Sequence, residues 1–250
     1  MNLTWKRRFG ILKSTERFEK IENKSMKNAV ISFHDDFDWL ENTESSWKSG
    51  FYFQNENLIR QYSFYNEQQA NNEGKNTFIN NSILQIQTKK EQVNSLAWHK
   101  TKGFVEKTFD YTADVMQNAL EFKQQYGIFR VKLRCSGHVN HACWLASEQQ
   151  MPHINLFHFD GKDIRIGFVN NQRNAGTIIQ GIKREQFYVY SLEWTPEELR
   201  WYVNNILVYK VKKDIPEQAL SVYFNSFIPE KGKAGTGKLE VDWIKIYQYK

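Results

Sequence analysis

Pro152-His153-Ile154-Asn155-Leu156-Phe157-His158-Phe159-Asp160-Gly161 is the stretch whose reading decides this chain. It mixes polar and large apolar residues, and alternate residues of a strand share one face. Short runs of the same kind fill the rest of the sequence. Ile83-Leu84-Gln85-Ile86-Gln87-Thr88 alternates, with its branched residues on one face. Phe129, Val131, Leu133 and Cys135 line one face of another strand, and Ile128, Arg130, Lys132 and Arg134 line the other. Further strands are predicted over 163–169, 187–194, 198–203, 206–211, 219–227 and 239–249. Asn204-Asn205 reads as a two-residue hairpin turn, because Asn tolerates positive φ. Only 4 prolines occur, and long apolar helical faces are missing. Many short strands separated by turn signals predict an all-β sandwich or jelly roll.

At 250 residues, 40% of them hydrophobic, the chain can build a real core. The aromatic share of 15% suits both a sandwich core and stacking on sugar rings. A net charge of +6 favours anionic partners, but no Lys/Arg run is long enough for a nucleic-acid tail. No stretch is long and apolar enough to span a membrane. The N-terminus lacks the apolar core of a secretory signal, so the default expectation is a cytoplasmic protein. Residues 1–26 read as an extension with a short charged helix near Lys13–Glu22, and 27–250 as one domain. Asn66–Asn81 reads as a loop. Cys135 and Cys143 flank Ser136–His141, which reads as a hairpin loop. A cross-strand disulfide and two reduced core thiols are both compatible with that spacing.

Several blocks in order resemble glycoside hydrolase family 16. They are Phe33-His34-Asp35-Asp36-Phe37-Asp38, Tyr126-Gly127-Ile128-Phe129-Arg130, Ala142-Cys143-Trp144-Leu145, Tyr190–Pro196 followed by Trp201-Tyr202-Val203, and Leu239–Tyr247. The resemblance runs from about residue 32 to the C-terminus. It implies a concanavalin-like β-jelly roll, two curved antiparallel sheets with a glycan cleft on the concave face. The family's active-site strand reads E-x-D-x-x-E, with one bulge restoring parity. Here His153, Asn155 and His158 stand at those three positions, and all three should face the cleft. Asp160 should share the face of His158.

Retaining hydrolysis needs two carboxyl groups roughly 5 Å apart. A histidine shuttles protons near neutral pH but supplies no anion to an oxocarbenium-like transition state. The usual reaction is therefore not expected. The resemblance also turns the strand of Arg130, Lys132 and Arg134 toward the cleft, which would make that surface basic and suited to an anionic glycan. It places Trp144 on the cleft floor, where an indole can stack on sugar or simply be buried. It places a structural calcium at Asp242, and no other cofactor is required. Trp98 and His99 precede the Gly103-Phe104-Val105 strand and read as a cleft-rim loop. His138, His141, His153 and His158 fall close together, but none of the common metal spacings is present, so ordinary cleft and loop histidines are the simpler reading.

The leading expectation is a polysaccharide- or oligosaccharide-binding relative of that family, using Arg130, Lys132, Trp144, His153, Asn155 and His158. The alternative is an active hydrolase or lyase whose acid and base have moved to His153, His158, Asp160 or Glu148. A third reading keeps only the sandwich, as a structural or interaction protein.

Overall fold

The computed structural model describes residues 28–38, 46–53, 55–60, 63–147, 151–170 and 173–250. The N-terminal extension predicted for 1–26 and Glu148 lie outside the described residues. Two packed sheets dominate. Sheet A runs β18 (Ile206–Val211), β17 (Leu199–Val203), β16 (Tyr188–Trp194), β11 (Gly127–Gly137), β20 (Gly237–Tyr249), β8 (Leu84–His99), β9 (Gly103–Ala113) and β6 (Gln69–Asn71). Three strands join beside that path: β1 (Ala29–Asp35) on β20, and β5 (Ser63–Phe64) and β7 (Thr77–Ile79) on β8. Sheet B runs β15 (Asn174–Ile179), β14 (Ile164–Val169), β13 (His153–Asp160), β12 (Asn140–Ala146), β19 (Ser221–Phe227), β10 (Val115–Gln117) and β2 (Lys48–Ser49). A small hairpin pairs β3 (Phe51–Phe53) with β4 (Asn55–Arg60). The all-β jelly roll is as the sequence predicts.

Alternation explains the layering. Phe129, Val131, Leu133 and Cys135 of β11 meet Cys143, Leu145, Phe157 and Phe159 of sheet B in one buried cluster. Their neighbours in sequence face outward from each sheet. The Asn204-Asn205 turn has φ of 47° and 61°, the mirror-image geometry that fits strand twist.

Three local expectations change. Ser136–His141 is not a hairpin: β11 pairs with β16 and β20 in sheet A, whereas β12 pairs with β13 and β19 in sheet B. The segment crosses between sheets, and both cysteines are free thiols in the shared core. Burial holds the Cys135 thiol up, to about 12. The 66–81 loop contains the short strands β6 and β7. Trp98 and His99 belong to β8 itself, which pairs along β9 from Lys89 to His99.

Sheet B has a close approach at Gly167, which is paired with Gly176 and has φ of 147°. A Cβ on Gly167 would lie 2.2 Å from the Ala175 carbonyl oxygen. Gly167→Ala is expected to cost about 1–3 kcal/mol, because that backbone cannot hold a side chain without strain. A denaturation midpoint equal to wild type would contradict this.

Candidate functional site

The outer face of sheet B, turned away from the core, collects the motif residues. His153, Asn155, His158 and Asp160 alternate with buried Ile154, Phe157 and Phe159. Strict alternation would send His158 inward, since it lies three residues after Asn155. A bulge corrects this: the β13–β14 register jumps between Asn155 and His158, and the β12–β13 register jumps between Cys143 and Trp144. The indole N–H of Trp201, reaching from sheet A, donates to the Asn155 carbonyl at 2.8 Å. That bond satisfies a backbone acceptor which the bulge turns toward the core.

Each imidazole is tied down in a neutral form. His153 Nε2 donates to Asn155 Oδ1 at 2.8 Å. His158 Nε2 accepts from Asn140 Nδ2 at 3.4 Å. Burial pulls the His153 ring below its ordinary value, with Asn155 partly opposing. Burial takes His158 down to about 4, with Asp160 opposing and His153 and Arg165 adding to the fall. Neither ring is an imidazolium at neutral pH, so neither stands ready as a general acid.

Asp160 is committed elsewhere. Its Oδ1 accepts the backbone N–H groups of Lys162 and Asp163, and its Oδ2 is ion-paired with Arg165. Partial burial would raise its carboxyl, but these bonds outweigh it and hold the group below the usual range. It caps a turn as an anion, which is the opposite of a general acid.

Trp144 lies on this face as expected, but its ring is not open to a sugar. Tyr223 stacks on it at 4.4 Å and His153 at 4.5 Å, with interplanar angles of 22° and 15°. Its Nε1 donates to Asn225 Oδ1 at 3.0 Å, and it is 5% exposed. With ring neighbours at stacking distance, the indole is part of the floor. Beyond Asn155 the floor is glycine backbone, since Asn155 pairs with Gly167 and Gly167 with Gly176.

Arg130, Lys132 and Arg134 are not part of this face. Alternation places them away from the core, but β11 belongs to sheet A, so that direction leads away from β13. Arg130 is 1% exposed, bonded to Ser191 and Asn205, with its guanidinium 5.8 Å from the Trp243 ring centre. Lys132 Nζ meets Asp242 Oδ2 at 2.7 Å, and Arg134 Nε meets Glu240 Oε2 at 2.7 Å. Lys132 and Arg134 are neutralised on the far side of the molecule, and Arg130 is buried there beside the neutral side chains of Ser191 and Asn205. The Lys132 ammonium also means that the groups around Asp242 do not fit a calcium ion. Among the described residues, no three His, Cys, Asp or Glu side chains converge as a metal site. The four histidines disperse: His138 is exposed on the crossover, and His141 is buried beside Phe159, bonded to Ser226 and the Ser136 carbonyl.

The sequence reading missed Trp201, Tyr223, Asn225, Asn140 and Gly167 as parts of this site. Two signals were present. Tyr223 and Asn225 alternate within the predicted strand 219–227, and a glycine inside the strand 163–169 marks close backbone approach.

Comparison with known proteins fits this geometry. A curated beta-glucanase of Rhodothermus marinus is 45% identical over 38 residues, which is 15% of this chain and 13% of that protein. The laminarinase catalytic domain of Thermotoga maritima superposes with a TM-score of 0.70 at 19% identity, covering 90% of this chain and 100% of that one. The endo-beta-1,3-glucanase of Pyrococcus furiosus gives 0.70 at 18%, covering 89% and 95%. A laminarinase variant from Zobellia galactanivorans, solved with laminaritriose and laminaritetraose, gives 0.65 at 22%, covering 88% and 99%. At these identities the structures establish the shared fold. The family model described as glycosyl hydrolases family 16 matches residues 60–245. That is well over half of the sequence, and the chain belongs to glycosyl hydrolases family 16.

Proposed function

We propose that this protein binds polysaccharide on the outer face of sheet B without hydrolysing it by the family's retaining reaction. The observation that carries this is the state of the three motif positions. They hold two neutral imidazoles and an amide, so neither an anionic nucleophile nor a protonated acid stands where both are required. Asp160, the nearest carboxylate, is held as an anion by its turn and by Arg165. Binding has what it needs: imidazole and amide groups to meet sugar hydroxyls, and a glycine-floored lane beside Asn155. The nearby Arg165 is already paired with Asp160. With Arg130 and Lys132 on the other sheet, a neutral chain is the better fit. The laminari-oligosaccharides bound by the Zobellia relative make β-1,3-glucans the first probes.

Affinity electrophoresis through gels containing laminarin, lichenan, agarose or carrageenan tests the reading, alongside reducing-end assays. The expected result is retardation by at least one polysaccharide with no new reducing ends. Retaining hydrolysis of any of them, abolished by His153→Ala with His158→Ala, would overturn it. A polyuronate such as alginate, added to the panel, covers the lyase alternative, whose β-elimination would give an unsaturated, ultraviolet-absorbing product.

A further inference from the structure

The long β8–β9 hairpin has one buried side and one exposed side. Ala97 and Phe109 pack with Ala70 on the buried side, which fixes the hairpin's roll. On the other side Leu96, Trp98 and Phe104 are 54%, 42% and 51% exposed. Exposed side chains of this size are unfavourable in water unless something covers them. Trp98 faces Phe104 across the ladder, with ring centres 5.1 Å apart and planes at 65°.

This exposed side leads to the floor of the candidate cleft. Phe64 pairs in parallel register with Trp98, so their side chains leave the sheet on the same side. The Phe64 ring lies 5.1 Å from that of Phe51. Phe51 belongs to the buried cluster of Trp144 and Tyr223, against which Phe64 packs. Packed rings therefore run from His153 to Phe64, and strand register sets Phe64 beside Trp98, whose ring meets Phe104. Polar groups flank the outer end. Glu106 faces Leu96, and the Thr108 hydroxyl donates to Asn94 Oδ1 at 2.7 Å on the same side. Rings beside hydroxyl, amide and carboxylate groups suit a pyranose, which presents apolar C–H faces edged by hydroxyls.

We infer that Trp98 and Phe104 form a second sugar-binding platform, which holds the outer part of a polysaccharide chain whose inner part lies on the cleft face. This rests on the reading of the cleft face as a glycan site. Neighbouring strands stand about 4.8 Å apart. Phe64, Trp98 and Phe104 thus cross three strands, a span suited to a disaccharide.

Calorimetry with laminaritriose and laminarihexaose tests the platform. Wild type should bind the hexaose more tightly than the triose. Trp98→Ala should weaken hexaose binding about tenfold, the loss of one stacked ring, and leave triose binding unchanged. Phe104→Ala should act in the same direction. Both positions are exposed, so thermal stability should stay at the wild-type value. Full hexaose affinity in Trp98→Ala would overturn the platform, as would an equal loss for both lengths. So would self-association that Trp98→Ala abolishes while glucan binding is untouched. His158→Ala separates the two ideas. If it changes neither probe while Trp98→Ala still weakens the hexaose, the cleft reading fails and the platform stands. Binding of neither probe by wild type overturns both.

Discussion

Acidification from pH 7 to pH 4 is expected to cost the fold on the order of 3 kcal/mol for each of two imidazoles, His141 and His158. Burial brings both rings down from 6.5 to about 4. In an unfolded chain each would take up a proton as the pH falls through 6.5. In the folded protein each resists until about 4. Proton uptake therefore favours unfolding across that window, and the penalty is complete below it. For His141 the Ser136 carbonyl opposes the shift and the Arg184 charge adds to it. Glu67 works in the other sense. Burial lifts its carboxyl from 4.5 to about 7, with Gln69 and Lys107 partly opposing. Between those values the folded state holds the proton more strongly, so stability rises as the pH falls. One such group offsets about one imidazole, so these three groups together leave a loss of about 3 kcal/mol. Against a typical total of about 5–15 kcal/mol this is large. Denaturation midpoints at a series of pH values measure it. The His158→Asn variant should show a visibly flatter slope. Ring resonances of His141 and His158 that titrate near the free value would contradict the expectation.

Truncating Trp201 should have a comparable effect at a single position. Trp201→Ala empties a fully buried site and is expected to cost about 3–5 kcal/mol. Trp201→Phe keeps most of the volume but leaves the Asn155 carbonyl without its indole donor. That should cost about 1–3 kcal/mol. The Phe variant carries the sharper consequence, because the indole anchors the bulge that sets the facing of His153 and His158. Ring resonances of both histidines should shift in Trp201→Phe although neither side chain touches the substituted ring. A stable Phe variant with unmoved histidine resonances would show that the bulge holds itself.

The two-residue period made much of this legible from sequence. It separated Phe129, Val131 and Leu133 from Arg130, Lys132 and Arg134, and the two sides of β11 are as alternation requires. What alternation cannot supply is the identity of the neighbouring strand. Arg130 faces away from the core, but which outer face it joins depends on β11 pairing with β16 and β20, contacts far away in sequence. The same gap turned the Cys135–Cys143 segment into a hairpin when it is a bridge between sheets. The site itself was readable where its residues lie on one strand, as His153, Asn155 and His158 do. It was hidden where several strands contribute. Nothing local to Trp144 announces that Tyr223 and His153 flank its ring. Family resemblance supplied the shared outward facing of His153, Asn155 and His158, but it misplaced Arg130 and Lys132. Those errors concern the outer surface of sheet A, where a side chain can change its electrostatic role without disturbing the core.

The bulge on β13 has one more consequence, for inheritance. Ile154, Leu156, Phe157 and Phe159 must all reach the interior, and Trp201 bonds at the irregular step that lets the adjacent pair Leu156 and Phe157 do so. Leu156 and Phe157 both turn inward at this step, so deleting one of them would restore strict alternation but cost the core a buried side chain. The interval is thus guarded by packing and is indifferent to what the outward side chains do. A lineage could exchange both acids for imidazoles, abandon the chemistry and still keep the spacing, because losing it would strip Leu156 or Phe157 from the core. In this fold the rhythm of the signature is a fossil of the core, and only the letters at its outward beats report on a trade still practised.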